Sequence, residues 1–194
     1  MTRTATVTRE TAETRVSCTV DLDGTGRAAI TTGIGMLDHL LGALARHSRI
    51  DVSLTCAGDL HVDDHHTAED CAITLASALD TALGERRGIG RFGSAYAPLD
   101  EALVRAVIDL SGRPWAEVHL ALRADKLGGL SSQNVSHVLR SLAIGLRAAL
   151  HVDVVRAEND HHQAEAAFKA VALALRQAVA TDGTTTVPST KGVL

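Results

Sequence analysis

Two copies of one motif, His65-His66-Thr67-Ala68-Glu69 and His161-His162-Gln163-Ala164-Glu165, stand 96 residues apart in a chain of 194. A second pair, His39-Leu40-Leu41 with Leu44-Ala45 and His137-Val138-Leu139 with Leu142-Ala143, repeats at an offset of 98. Both offsets sit close to half the length, which confines the chain to a duplicated unit.

The order of elements agrees. Thr4-Thr8, Arg15-Leu22 and Ala28-Thr32 alternate as strands. Gly35 to Arg46 carries Leu37, Leu40, Leu41 and Leu44 at helical spacing. A strand over Ile50-Leu54 follows, then a helix from Asp64 to Leu83 with Gly84 as its stop. The second half repeats this with strands at Ser94-Pro98, Ala102-Leu110 and Trp115-Leu122, a helix over Gln133-Ala149, a strand at His151-Val155 and a helix from Asp160 to Val179. The predicted fold is α+β, two tandem β-β-β-α-β-α half-domains related by a pseudo-twofold axis. Each is a four-stranded sheet with two helices on one face, spanning 1–90 and 91–180. Residues 181–194, rich in Thr and Gly, read as a tail that is poorly ordered in an isolated subunit.

The repeated motif carries metal chemistry. On a helix, Glu69 shares a face with His65 and His66, but the two adjacent rings diverge by about 100°. Each pair therefore suits two different ions, or one ion and a second across an interface. With His39 and His137 the set is six imidazoles and two carboxylates, Glu69 and Glu165. Divided evenly, that is three His and one Glu for each of two ions. A nitrogen and oxygen set without thiolate suits Mn, Fe or Zn, and four protein ligands on an octahedral ion leave positions open for catalysis. His47, His61, His119 and His151 fall outside the pattern and read as ordinary hydrogen-bonded residues. Asp64 and Asp160 precede the motifs, as N-caps or as hydrogen-bond partners of the ligating rings.

Composition removes several other classes. Four aromatic residues leave no row of rings for stacking bases, and a net charge of -4 without a basic run argues against nucleic acid or anionic membrane as partner. No apolar stretch approaches the roughly 20 residues of a membrane span. Met1 to Glu13 lacks a signal-like apolar core and reads as a mature first strand. Cys18, Cys56 and Cys71 are odd in number and have no Cys-x-x-Cys spacing, so a reducing cytoplasm is expected. Arg91 and Arg113, on Gly-rich turns, and Lys169, one turn beyond Glu165, are candidate anion contacts.

These residues together resemble the imidazoleglycerol-phosphate dehydratases. The likeness runs nearly end to end, through Glu13-Thr14, Gly33-Ile34-Gly35-Met36-Leu37-Asp38-His39, Gly58-Asp59-Leu60-His61-Val62-Asp63-Asp64-His65-His66-Thr67-Ala68-Glu69, Arg91-Phe92-Gly93, Asp100-Glu101-Ala102, Ser111-Gly112-Arg113-Pro114, Asn159-Asp160-His161-His162 and Ser189-Thr190-Lys191-Gly192. The resemblance implies a ribosomal protein S5 domain 2-like fold in each half and two Mn2+ per active site. It also implies a homo-oligomer of 24 subunits with active sites between them. By motif it assigns the metal to His39, His65, His66, Glu69, His137, His161, His162 and Glu165. The phosphate of a small-molecule substrate falls to Arg91, Arg113, Lys169, Ser189 and Lys191, which brings the tail into the site. The implied reaction is dehydration of imidazole glycerol phosphate in histidine biosynthesis, with Glu13 and Glu165 as the carboxylates that could move protons. The chain departs from the pattern at Gly42-Ala43, where the family usually has Asp-Gln and the glutamine is a substrate contact. The alternatives are a catalytically altered relative or a non-enzymatic metal-binding shell protein.

Overall fold

The structure, a computed structural model, describes residues 2–194. The first half runs β1 (Thr4–Glu10), β2 (Thr14–Asp21), β3 (Ala28–Thr31), α1 (Gly35–Ser48), β4 (Asp51–Gly58) and α2 (His65–Leu83). The second runs β5 (Phe92–Leu99), β6 (Ala102–Asp109), β7 (Trp115–His119), β8 (Lys126–Leu127), β9 (Leu130–Ser131), α3 (Ser132–Gly145), β10 (Ala149–Arg156) and α4 (Asp160–Val179). The sheets have matching orders, β1-β2-β4-β3 and β5-β6-β10-β7, and in each the last pair is parallel.

Strand alternation decides which face each sheet buries. Val16, Cys18 and Val20 of β2 and Val104, Ala106 and Ile108 of β6 turn inward, while Arg15, Thr19, Arg105 and Val107 turn out. The helices cover the inner faces, α2 on β1 and β2, α4 on β5 and β6. Each helix also meets one from the other half, α1 on α4 and α2 on α3, so a single apolar core crosses the seam. Leu37, Leu40, Leu41 and Leu44 of α1 are all fully buried, each contributing about 2 kcal/mol by removal from water. Small residues set the spacing. A Cβ on Gly93 of β5 would lie 1.9 Å from the Ala174 carbonyl oxygen, so α4 approaches this strand at backbone distance. Among the described residues Phe168 is the one buried aromatic ring, and the core is otherwise aliphatic.

Several elements differ from the sequence expectation, and the strand expected over Ile50-Leu54 runs on to Gly58. The helix expected to reach Ala149 ends at Gly145, because Arg147 takes a positive φ of 53°. Its guanidinium is held by Asp80 at 2.9 and 3.0 Å, which fixes the turn into β10. The strand expected to reach Leu122 stops at His119, and Gln163 Oε1 then accepts the Ala121 N–H at 2.7 Å. The chain goes on into the short β8–β9 hairpin about Gly128-Gly129, which has no strand-length pattern to announce it.

The tail is also placed. Residues 181–186 run beside the turn before β5, where Thr181 bridges Ile89 and the Gly88 N–H donates to the Thr186 carbonyl at 2.9 Å. A Cβ on Gly88 would lie 2.0 Å from the Thr184 carbonyl oxygen, so the positive φ of this glycine and its missing side chain both serve the contact. Among the described residues no helix is long and apolar enough to cross a membrane.

Candidate functional site

The repeated histidines gather where helices of opposite halves meet. His65 and Glu69 on the first turns of α2 face His137 on α3, and His161 and Glu165 on α4 face His39 on α1. Within each trio the candidate ligand atoms all lie within 4.8 Å of one another. His137 Nε2 is 2.9 Å from Glu69 Oε1, and His39 Nε2 is 2.7 Å from Glu165 Oε2, with His161 Nε2 3.3 Å from that same oxygen. The rings stack alike, at 4.8 Å and 25° for His65 on His137 and 5.5 Å and 28° for His39 on His161.

Each cluster thus holds two imidazoles and one carboxylate rather than the three and one of an even division. The remaining rings, His66 and His162, stand at 76° and 79° to their neighbours and join neither group. Adjacent helical positions diverge, as the spacing predicts. His66 Nδ1 lies 3.0 Å from Asp59 Oδ2 and 3.7 Å from Glu13 Oε2, and His162 Nδ1 lies 2.7 Å from Glu101 Oε2. Hydrogen bonding to Asp59 raises the His66 pKa above the usual histidine value, and Glu101 does the same for His162.

Asp64 and Asp160 do not cap through their side chains. Asp63 accepts the His65 N–H at 2.8 Å, and Asn159 accepts from the N–H groups of His161 and His162. Asp64, buried, accepts instead from the Ser131 N–H and hydroxyl and from Asn134 Nδ2. Asn134 Oδ1 then lies 3.0 Å from His65 Nδ1, so Asp64 bears on that ring through the amide. Asp160 accepts the N–H groups of Arg123 and Ala124, both at 2.7 Å.

Lys169 lies on the side of α4 that faces the second cluster, its Nζ 2.7 Å from Glu165 Oε1. Burial pushes the Glu165 carboxyl up, but hydrogen bonds and charge from Lys169 and His39 outweigh it and hold the pKa at about 2. Arg91 and the tail form a separate group. Arg91 grips Asp109 with Nε and Nη2 at 2.7 and 3.1 Å, and its Nη1 donates to the Pro188 carbonyl at 2.8 Å, which seats Ser189 beside it. Leu194 reaches the Ser111-Gly112-Arg113 turn, where a Cβ on Gly112 would lie 2.6 Å from its carbonyl carbon. Arg113 and Lys191 are exposed.

A family model for imidazoleglycerol-phosphate dehydratase matches residues 32–175. The chain belongs to this family. It is 56% identical over 192 residues to a member from Phytophthora nicotianae, covering 99% of this chain and 42% of that relative. With a member from Phaffia rhodozyma it is 52% identical over 197 residues, covering 99% and 96%. A solved dehydratase structure from Pyrococcus furiosus superposes with a TM-score of 0.84 at 37% identity, covering 97% of this chain and all of that one. One from Staphylococcus aureus gives 0.80 at 31%, covering 92% and 99%.

In this member of the family, reading the sequence alone left Asp59, Glu101 and Asn134 without roles, although all three contact motif histidines. The repeat holds the signal for Glu101. The first two strands repeat at an offset of 88, as from Thr14 to Ala102, whereas the helices and the last strand repeat at 96 to 98. The β8–β9 insertion accounts for the change, and aligning at 88 sets Glu101 opposite Glu13.

Proposed function

We propose that the chain dehydrates imidazole glycerol phosphate to imidazole acetol phosphate, as a hydro-lyase of histidine biosynthesis, with two Mn2+ at each active site. What carries the reading is the pair of repeat-related clusters, two imidazoles and a carboxylate each, in a member of the dehydratase family. Their donors are all nitrogen and oxygen, the set that suits Mn2+. In this reading His65, Glu69 and His137 hold one ion and His39, His161 and Glu165 the other. His66 and His162, turned away from both, bind ions on neighbouring subunits.

The spacing along α4 favours such an assembly. The Arg91 N–H donates to the Ala178 carbonyl near the C-terminal end of α4, whereas Glu165 lies near its N-terminal end. The 13 residues from Glu165 to Ala178 make about 20 Å of helix. A phosphate on a three-carbon arm spans on the order of 8 Å from ring to phosphorus. Arg91, which holds the tail carrying Ser189 and Lys191, therefore sits too far along α4 from the Glu165 cluster of its own chain to share a substrate with it, and Arg113 is grouped with it by motif. We assign the phosphate to these groups on a neighbouring copy and to Lys169 from the metal side. The oligomer is taken as the family's 24-mer, and the three free cysteines accord with a reducing cytoplasm.

The reaction removes a carbon-bound proton and a hydroxyl group as water, leaving an enol that becomes the ketone. When bound, the ions supply Lewis acidity toward the substrate's ring and hydroxyl. Glu165 has both oxygens engaged, one by Lys169 and one by His39. Glu13 is exposed, with its carboxylate near His66, and is the group left to carry the proton. The test is purified protein with Mn2+, assayed for imidazole acetol phosphate before and after chelation. Activity lost on chelation and restored by Mn2+ supports the reading. Metal bound without turnover would make the chain an altered relative or a metal-binding shell, and would direct attention to Gly42-Ala43.

A further inference from the structure

Glu13 and Glu101 occupy equivalent places, each just before the second strand of its half. The register proves the equivalence, since Val16 pairs with Cys56 as Val104 pairs with Val154, offsets of 88 on one strand and 98 on the other. Their surroundings differ. In the first half Asp59 holds His66 Nδ1 at 3.0 Å and Glu13 stands off at 3.7 Å. A bulge between Val154 and Arg156 shifts the register, Arg156 pairing with Leu103 as Ala57 pairs with Arg15, so the counterpart of Asp59 is Glu158. The Glu158 side chain makes no hydrogen bond to His162, and Glu101 itself holds His162 Nδ1 at 2.7 Å.

We propose that Glu101 is a positioning residue that fixes the tautomer and orientation of His162, so that Nε2 is the nitrogen offered to a metal ion, and that it moves no proton in the reaction. The metal part rests on the functional reading above. Both oxygens of Glu101 must accept. Oε2 faces His162 Nδ1, and Oε1 receives the Asn159 N–H at 2.8 Å and the Glu158 N–H at 3.3 Å. A glutamine has one acceptor oxygen and one NH2 group. It must set that NH2 either against two backbone donors or against His162 Nδ1. In the second arrangement Nδ1 has to accept, which moves the ring proton to Nε2 and removes the lone pair a metal needs. The duplicated carboxylates have thus divided two tasks between them. Asp59 holds His66 and frees Glu13, whereas Glu158, its counterpart, leaves His162 to Glu101.

The experiment uses the full chain, free of metal, in wild-type, Glu101→Gln and Glu13→Gln forms. Each is titrated with Mn2+ while the paramagnetic resonance signal of the free ion is followed. Glu101→Gln should weaken one class of sites by about ten- to a hundred-fold and spare the other, while Glu13→Gln titrates like the wild type. Ring 15N shifts of the metal-free protein, with His162→Ala identifying the signals, should show His162 protonated on Nδ1 in the wild type and on Nε2 in Glu101→Gln. Wild-type Mn2+ binding and an unchanged tautomer in Glu101→Gln would overturn the proposal. So would loss of cooperative unfolding in the metal-free variant, which would place the residue in folding instead. If the wild type takes up no Mn2+, the functional reading fails, and the ring shifts still decide the role of Glu101.

Discussion

Lys169 and Glu165 form an ion pair of 2.7 Å across one turn of α4, and the other oxygen of that carboxylate faces His39 and His161. One side chain therefore joins the positive group proposed for phosphate to the cluster proposed for metal. Its counterpart in the first half, Ile73, cannot do so, and the two clusters are unequal in charge although alike in geometry. Replacing Lys169 with Met should raise KM about ten-fold or more, the effect of losing a hydrogen bond to a charged group worth about 1.5–3 kcal/mol, with both ions retained. Steady-state kinetics with metal analysis checks this.

Glu13→Gln should lower kcat by about 10²- to 10⁴-fold, the usual share of a general acid or base. Bound Mn2+ should stay at the wild-type level. Near-normal turnover would remove Glu13 from proton transfer.

His137→Ala and His39→Ala each delete a ligand from a different cluster. Each should lower metal content by about half after dialysis, and the double variant should bind almost none. Elemental analysis reads this directly, and a single variant that loses both ions would show the clusters to be coupled.

Removal of residues 187–194 takes away the carbonyl that Arg91 holds, together with Ser189 and Lys191. The shortened chain should keep its metal and its folded circular-dichroism spectrum while its substrate KM rises at least ten-fold.

Acid stability offers a check away from the site. Asp51 accepts the N–H groups of Arg27 and Thr25 at 2.8 and 2.7 Å and meets the Arg27 guanidinium. The backbone hydrogen bond from Arg27 is the largest cause holding this carboxyl well below the usual carboxylate range, against the upward push of burial. A carboxyl whose folded value is depressed adds stability that is full above its unfolded value and is lost as pH falls toward the folded one. Wild-type protein should therefore lose more unfolding free energy between pH 6 and pH 3 than Asp51→Asn, as measured by urea denaturation at each pH.

The duplication, the sheet and helix order and the inward Leu stripe of α1 were legible because they rest on local periodicity. So was the divergence of His65 from His66, which follows from helical pitch alone. The division of ligands was not, because it depends on which helices cross the seam. Pairing α1 with α4 and α2 with α3 sets His39 beside Glu165 and His137 beside Glu69, a choice made by packing between residues more than 60 apart. The holders Asp59, Glu101 and Asn134 were hidden for a related reason. A carboxylate on a loop, or an amide on a different helix, has no spacing that ties it to a ring nitrogen elsewhere in the chain. The tail escaped because its anchors are backbone carbonyls, such as that of Pro188, which any sequence would supply.

The exchange of helices across the seam has a further bearing on how such a chain could have arisen. Neither half owns a complete trio, since residues 1–90 bring His65 and Glu69 but need His137, and bring His39 but need His161 and Glu165. A single ancestral half could have met the same requirement only by pairing with a copy of itself. Joining the copies in one chain made that pairing obligatory and let the sides diverge, with Lys169 on one and Ile73 on the other. An ion held in either trio would act as a rivet between the two inherited halves, so metal occupancy should report their docking as directly as any measure of folding.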